Sequence, residues 1–375
     1  MRAYLLCIAA AAVTTYLLTP FALKFAVRAG AIAQVRDRDV HSEPTPRLGG
    51  LAIYGGLLVG ALVASHLPTL GQIFGQSSEP KAALVGATLM CLLGAIDDRW
   101  ELDALTKLAG QIFIAGVMVL MGVQLSYITL PGRHLYSLGT DVAVPLTVLL
   151  VVLLVNAVNF VDGLDGLAAG VVAIAAGATF LYSYHLESSL GEGISATPAV
   201  LLAALLLGAC LGFLPHNFAP ARLFMGDSGS MPIGLVLAAA MTSVTGQVDA
   251  VGLTSFDKVS VLVPLVIPLA VLAVPFLDLV LAVVRRTRAG RSPFAPDKQH
   301  LHHRLLEIGH GPRRAVLLMY AWAALLGFGA VLLSFSTGGA FAVAGLIVAF
   351  IAIVAVSGMP RLRTALRVRA GRHSP

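Results

Sequence analysis

Long apolar runs recur from one end of this chain to the other, and they set its solvent before they set its fold. A helix that crosses a bilayer needs roughly 20 mostly apolar residues. About eleven such stretches can be drawn, over residues 4–27, 48–67, 82–96, 108–125, 142–160, 167–186, 198–214, 231–245, 259–284, 316–335 and 341–359. Only 12% of the 375 residues are charged and the mean hydropathy is +0.88, whereas a soluble domain carries about 25% charged residues. The alternation of a lipid-facing barrel is absent, so the spans are read as helices. The expected fold is an all-α, multi-pass membrane bundle of about eleven helices. The run over 259–284 carries Pro264, Pro268 and Pro275, which remove helix hydrogen bonds and predict bending or breakage.

Basic residues near span ends are retained in the cytoplasm. An N-terminus outside leaves only Arg2, Lys81, Arg133 and Lys258 of the 25 Lys and Arg residues on the outer face. The C-terminus is then cytoplasmic. The first run is longer than a signal-peptide core and its basic residues follow it, which favours an uncleaved anchor. Residues 1–360 are read as one transmembrane catalytic domain and 361–375 as a basic cytoplasmic tail. The pI of about 9.4 is explained by the inner loops and by Arg361, Arg363, Arg367, Arg369 and Arg372. The tail therefore points to membrane lipid rather than nucleic acid. Cys7, Cys91 and Cys210 lie inside apolar runs without metal-ligand spacing and read as filler.

The unusual residues gather on the inner side. Of 19 carboxylates, only Glu79, Asp141, Glu187, Glu192, Asp249 and Asp257 fall outside. Asp97 and Asp98 open the second inner loop; neighbouring carboxylates raise one another's pKa unless a cation is near, which suggests a metal, a basic partner or proton transfer, against a merely solvated acidic pair. Asn156, Asn159, Asp162 and Asp165 recur every third residue, and Gly163 and Gly166 are expected to break the helix after each Asp. The outcome would be a concave polar turn for a hard cation and a nucleotide, or a hydrogen-bonded turn between helices. Phe224-Met225-Gly226-Asp227 opens a span, where Asp227 is either an ordinary cap or a Mg²⁺ ligand beside a phosphate drawn to the helix N-terminus. His300, His302 and His303 lack the companions of a zinc site; with Lys298 and Arg304 they read as a phosphate clamp or a solvated basic loop. Asp278, near the inner end of its run, is either functional or paired with an inner-loop arginine.

Taken in order, these strings resemble the polyprenyl-phosphate N-acetylhexosamine-1-phosphate transferase superfamily, nearest to its bacterial undecaprenyl- or decaprenyl-phosphate N-acetylglucosamine-1-phosphate transferase branch. The resemblance runs from Pro44-Thr-Pro-Arg-Leu-Gly-Gly50 to the histidine loop. It implies transfer of a sugar 1-phosphate from a UDP-N-acetylhexosamine to a polyprenyl phosphate, with Mg²⁺ or Mn²⁺ and release of UMP. It further implies Asp227 as the principal metal ligand and Asn159 as a second contributor, Asp97 and Asp98 as catalytic acids, and Lys107 on phosphate. Phe224 would stack on uracil with Asp165 near the base edge, while Asn156 and Asp162 would line the substrate site. His300, His302, His303 and Arg304 would read the diphosphate and sugar. The plasma membrane, with the active site on its cytoplasmic side, is the implied location. The Pro46-Arg47-Leu48-Gly49-Gly50 and His-Leu-His-His-Arg strings favour an N-acetylglucosamine donor over phospho-MurNAc-pentapeptide.

The roles of Asp97 and Asp98 stay open between deprotonating the lipid phosphate and organising metal and acceptor. A homodimer is left open. A transporter is the reading from another class; transport pathways place polar residues near the bilayer midplane, where these runs are mainly Ala, Leu, Val and Gly.

Overall fold

The computed structural model describes residues 1–33, 44–130, 134–189, 198–246, 266–273, 287–288, 311–335 and 343–357. These are mostly helical. The first helix, α1 (Arg2–Ala29), is apolar around its circumference and ends where Gly30, at φ 68°, takes a left-handed turn and donates to Ala26 O and Val27 O, a termination that glycine adopts without a Cβ penalty. Next come α2 (Gly50–His66), the short α3 (Gly71–Gln76), α4 (Glu79–Trp100) and α5 (Ala104–Leu120). Then α6 (Thr140–Val161), α7 (Leu167–Ser189), α8 (Pro198–Asn217) and α9 (Asp227–Gly246) follow, and α10 (Pro312–Phe335) and α11 (Val343–Ser357) close the described chain. Six of these, α1, α4, α6, α7, α8 and α10, are long and apolar enough to cross a membrane; α2, α5 and α11 are apolar but shorter.

The helices match the apolar runs to within a few residues, with three departures. The α4 helix continues to Trp100, so Asp97 and Asp98 ride its last turn instead of opening a loop. Nothing between Ile96 and Trp100 breaks a helix; termination waits for Glu101, left-handed at φ 49°, whose N–H returns to Asp97 O. Second, α6 stops at Val161, with Asp162 capping it, so the break precedes Gly163 instead of following each Asp. Third, an antiparallel hairpin forms between β3 (Tyr127–Leu130) and β4 (His134–Ser137), following a small ladder between β1 (Ile32–Ala33) and β2 (Thr45–Pro46). The run over 259–284 and its prolines lie largely outside the described residues, of which 266–273 are helical.

At the centre stands α9, which packs on α2, α4, α6, α7 and α8. Its middle, from Met231 to Met241, is buried. Lipid tails are as apolar as leucine, so helices in a bilayer associate through close packing of small residues. Gly212 illustrates this on the α1–α8 seam, where a Cβ would come within 2.1 Å of Ala12 O. Cys7, Cys91 and Cys210 are buried and unpaired with one another, as filler residues should be.

Candidate functional site

Chain alternation brings the ends of α4, α6 and α8 and the starts of α2, α5, α7 and α9 to one end of the bundle. The centre of that end is the first turn of α9. Asp98, on α4 and only 7% exposed, accepts from Asp227 N at 2.9 Å through Oδ1 and from Ser228 N at 3.0 Å through Oδ2. Gly229 N and Ser230 N both turn back to Gly226 O. The opening N–H groups of α9 are therefore already satisfied, and the phosphate expected at this helix end finds its place taken by a carboxylate of the chain itself. An anion at a helix N-terminus is favoured by the orphan donors and the dipole; here α4 supplies the anion.

Three glycines let the backbones come this close. Gly226 sits at φ 69°, and a Cβ on it would lie 2.4 Å from Asp98 Oδ2. A Cβ on Gly94 would lie 2.2 Å from Asp227 O, and one on Gly50 would lie 2.1 Å from Gly229 N. The loop before α2 is pinned to the loop before α9, with Phe224 N donating to Pro46 O at 2.9 Å. Gly49 N and Gly50 N donate in turn to Phe224 O and Met225 O at 3.0 Å each.

With its backbone held, the Asp227 side chain meets two donors. Asn159 Nδ2 reaches Asp227 Oδ1 at 2.7 Å and Ser230 Oγ at 2.9 Å. Lys107 Nζ bonds Asp227 Oδ2 and also Asp97 Oδ2, the latter at 3.1 Å. Lys107 is carried in the first turn of α5, which Asp103 caps by accepting from Leu105 N and Thr106 N at 3.0 Å each. The Thr106 hydroxyl and backbone N–H hold the exposed Asp103 carboxyl below the usual range. Asp97 Oδ1 accepts from Leu102 N at 2.8 Å, which ties the α4–α5 turn to the same centre. The paired aspartates thus divide their work: Asp98 faces the α9 backbone and Asp97 faces Lys107.

Asp162, just beyond α6, lies in a second acidic focus. Burial, then the carboxylates of Asp98 and Asp165, push its pKa well above the ordinary range, with Arg47 and the Gly226 N–H acting the other way. Asp165 is 9% exposed and accepts from Ala221 N at 2.9 Å through Oδ2, so in this structure it ties the start of α7 to the loop before α9. Asn156 points a turn deeper than Asn159 and donates to Gln111 Oε1 at 2.7 Å and Val152 O at 2.8 Å. The expected polar string is thereby split, Asn159 joining Asp227 and Asn156 joining α5. His300, His302, His303, Arg304 and Asp278 lie outside the described residues.

Sequence reasoning missed three contributors. Gln111, 1% exposed, also donates to Met231 Sδ at 3.3 Å; its signal was a lone polar residue inside an apolar run, four positions after Lys107 and so on the same helix face. Ser230 is one of two serines in the string from Gly226 to Ser230, and nothing in that string sets it apart. Asn217 accepts from Gly166 N at 3.1 Å and donates to Leu223 O at 3.0 Å; its link to Gly166 carries no local signal because the two are 51 positions apart.

Asp97, Asp227 and the Asn159 amide are hard oxygen donors on three helices, the chemistry that Mg²⁺ or Mn²⁺ takes. No group of three His, Cys, Asp or Glu forms a ready cage among the described residues. Mg²⁺ is usually held by one or two carboxylates together with substrate phosphates.

A polar, charged centre assembled on the ends of helices long and apolar enough to cross a membrane is the signature of a multi-pass membrane protein. Residues 81–245, which carry most of that centre, match the family described as glycosyl transferase family 4. The chain is 47% identical over 356 residues to the decaprenyl-phosphate N-acetylglucosaminephosphotransferase of Mycolicibacterium smegmatis, covering 94% of this chain and 87% of the relative. It is 46% identical over 322 residues to the protein of the same name from Mycobacterium tuberculosis, covering 85% and 80%. Against the undecaprenyl-phosphate alpha-N-acetylglucosaminyl 1-phosphate transferase of Escherichia coli K12 it is 29% identical over 84% of this chain and 80% of the relative. The chain belongs to glycosyl transferase family 4, in the superfamily of polyprenyl-phosphate N-acetylhexosamine-1-phosphate transferases.

Proposed function

We propose that this protein transfers N-acetylglucosamine 1-phosphate from UDP-N-acetylglucosamine to a polyprenyl phosphate at the cytoplasmic face of the plasma membrane, initiating a cell-envelope polysaccharide. The observation that carries the reading is the bridge from Lys107 to Asp97 and Asp227, with Asn159 on the other oxygen of Asp227. The names of the relatives support the acceptor and the sugar phosphate. In the reaction, an oxygen of the lipid phosphate attacks the β-phosphorus of the donor, and the bond between that phosphorus and the oxygen shared with the α-phosphate breaks to release UMP. Such transfers ask mainly for positioning and charge neutralisation.

Asp227 would hold Mg²⁺, with Mn²⁺ as a substitute and Asn159 as its second contributor; when bound, the cation supplies charge neutralisation for the diphosphate. Lys107 adds a positive charge at the same centre, and Asp97 controls where that charge rests. The second pKa of a phosphate monoester is about 6, so the acceptor needs little help to lose its proton near neutral pH. Asp98 has both oxygens committed to the α9 backbone, which supports a positioning role and leaves Asp97 as the member of the pair next to the reacting charges. The orientation with the N-terminus outside rests on the distribution of Lys and Arg.

The decisive assay is UMP release by the purified protein with polyprenyl phosphate and UDP-N-acetylglucosamine, UDP-N-acetylgalactosamine or UDP-MurNAc-pentapeptide. Release with the first donor is the expected result, and release with the pentapeptide donor alone would overturn the choice of sugar. Labelled UMP should not exchange into the donor when acceptor is absent, since a direct displacement leaves no sugar-phosphate on the enzyme.

A further inference from the structure

The Lys107 contact lies on the carboxylate assigned to hold the metal. Asp97 ends α4 and Asp227 begins α9, so two carboxylates from different helices face one small volume. Each is largely shielded: their side chains are 15% and 20% exposed, and Lys107 is 19% exposed. Two such carboxylates repel, and a cation between them offsets the repulsion. Lys107 is built to be that cation. Its helix is anchored by the Asp103 cap and, one turn further in, by Gln111 against Asn156 and Met231. The ammonium is therefore delivered from a fixed base on a flexible stem, whose three rotatable donors can change partner without moving the helix.

The remaining contacts of Asp227 differ in kind. Asn159 Nδ2 on Oδ1 is a neutral donor that orients the carboxylate, and the backbone is fixed by Asp98. Among the described residues, Oδ2 alone carries a charged partner, the Lys107 ammonium. A divalent cation arriving at Asp227 meets a position already neutralised by the chain, and two cations on one carboxylate oxygen repel.

We propose that Lys107 is a tethered stand-in for the metal: it holds Asp97 and Asp227 together in the metal-free enzyme, and it gives up Asp227, while keeping Asp97, when a divalent cation takes its place. This rests on the reading of Asp227 as the metal ligand. Two consequences follow from the exchange. The empty site keeps its shape at low metal concentration, because the repulsion between its carboxylates is never exposed. Metal affinity is lowered in the absence of donor and recovers once the released ammonium finds the negative charge of a bound diphosphate, so metal and nucleotide sugar bind with positive coupling.

The test uses the full chain in detergent micelles, with Mn²⁺ as a spectroscopic probe and no nucleotide. Lys107→Gln should bind Mn²⁺ about tenfold or more tightly than wild type, the scale of one removed charge at a partly shielded site. In EDTA the same variant should melt below wild type and be restored by Mn²⁺. Lys107→Arg keeps the charge and should behave as wild type in both measurements, which separates charge from folding. Asp227→Asn should lose Mn²⁺ binding; if it binds Mn²⁺ as wild type does, the metal assignment itself fails. If Asp227→Asn loses binding while Lys107→Gln binds no more tightly than wild type, the exchange is overturned and the metal assignment stands.

Discussion

Asp98 and Asp227 illustrate how two carboxylates at one helix junction acquire different duties from their partners. Asp98 spends both oxygens on backbone N–H groups of α9. Replacing it by Ala leaves those buried donors without acceptors, a loss of about 1–3 kcal/mol, and lets the first turn of α9 drift. Asp98→Asn keeps one acceptor and should lose less stability and less activity than Asp98→Ala, as thermal unfolding and UMP release would record. An Asp98→Asn enzyme with wild-type melting and no turnover would instead make Asp98 a proton-transfer group. At Asp227 the opposite pattern is expected: Asp227→Asn should abolish metal-dependent turnover while the fold persists, since Asn159 and Lys107 are side-chain partners and not backbone ones. Retained turnover would refute its assigned role. Asp98 and Asp97 are adjacent in the chain, and no sequence pattern says which of them turns toward another helix.

The elements that carry these residues are positioned by small contacts at their ends. The first turn of α9 reaches α4 through Gly94, where even a methyl group would collide with Asp227 O. Gly94→Ala should cost about 1–3 kcal/mol as overpacking and lower activity out of proportion to that loss, because the displaced atoms belong to the site. For α5, the Asp103 cap fixes the turn that bears Lys107. The Asp103 carboxyl is held below its unfolded pKa of about 3.9, so its stabilising contribution is fully present above that value and is lost as pH falls through the lower folded pKa. The melting difference between wild type and Asp103→Ala should accordingly be constant from about pH 5 to 8 and close only below about pH 4. A difference that peaks in acid would contradict this. Helix positions were legible in the sequence because a run of apolar residues has only one inexpensive conformation in lipid. Helix ends were less so: α4 outlasted its apolar run by one charged turn, and α6 stopped two residues before Gly163.

For the whole molecule, the arrangement of charges on the inner loops predicts topology. Cys7, Cys91 and Cys210 are buried, so a cysteine introduced at an exposed end should be labelled over a low background. With the N-terminus outside, Gln76→Cys at the end of α3 should react with an impermeant maleimide in intact cells, and Arg222→Cys before α9 only after the membrane is opened. The reverse pattern would invert the bundle and place the nucleotide site on the wrong face for a cytoplasmic donor. The six helices long enough to cross, together with the shorter α2, α5 and α11, are the frame that such labelling would calibrate.

Composition and the spacing of apolar runs by themselves determined that this chain is a helical membrane protein, since a backbone in lipid must satisfy its own hydrogen bonds. The ordered motifs also pointed to its family. What only the tertiary structure decided is partnership: that Asp98 caps α9, that Lys107 joins Asp97 to Asp227, and that Asn156 and Asn159, three residues apart, serve different neighbours. The physical reason is that a hydrogen bond acts over about 3 Å. The residues that meet here come from helix ends as many as 130 positions apart, and packing against a common central helix is what brings them within reach.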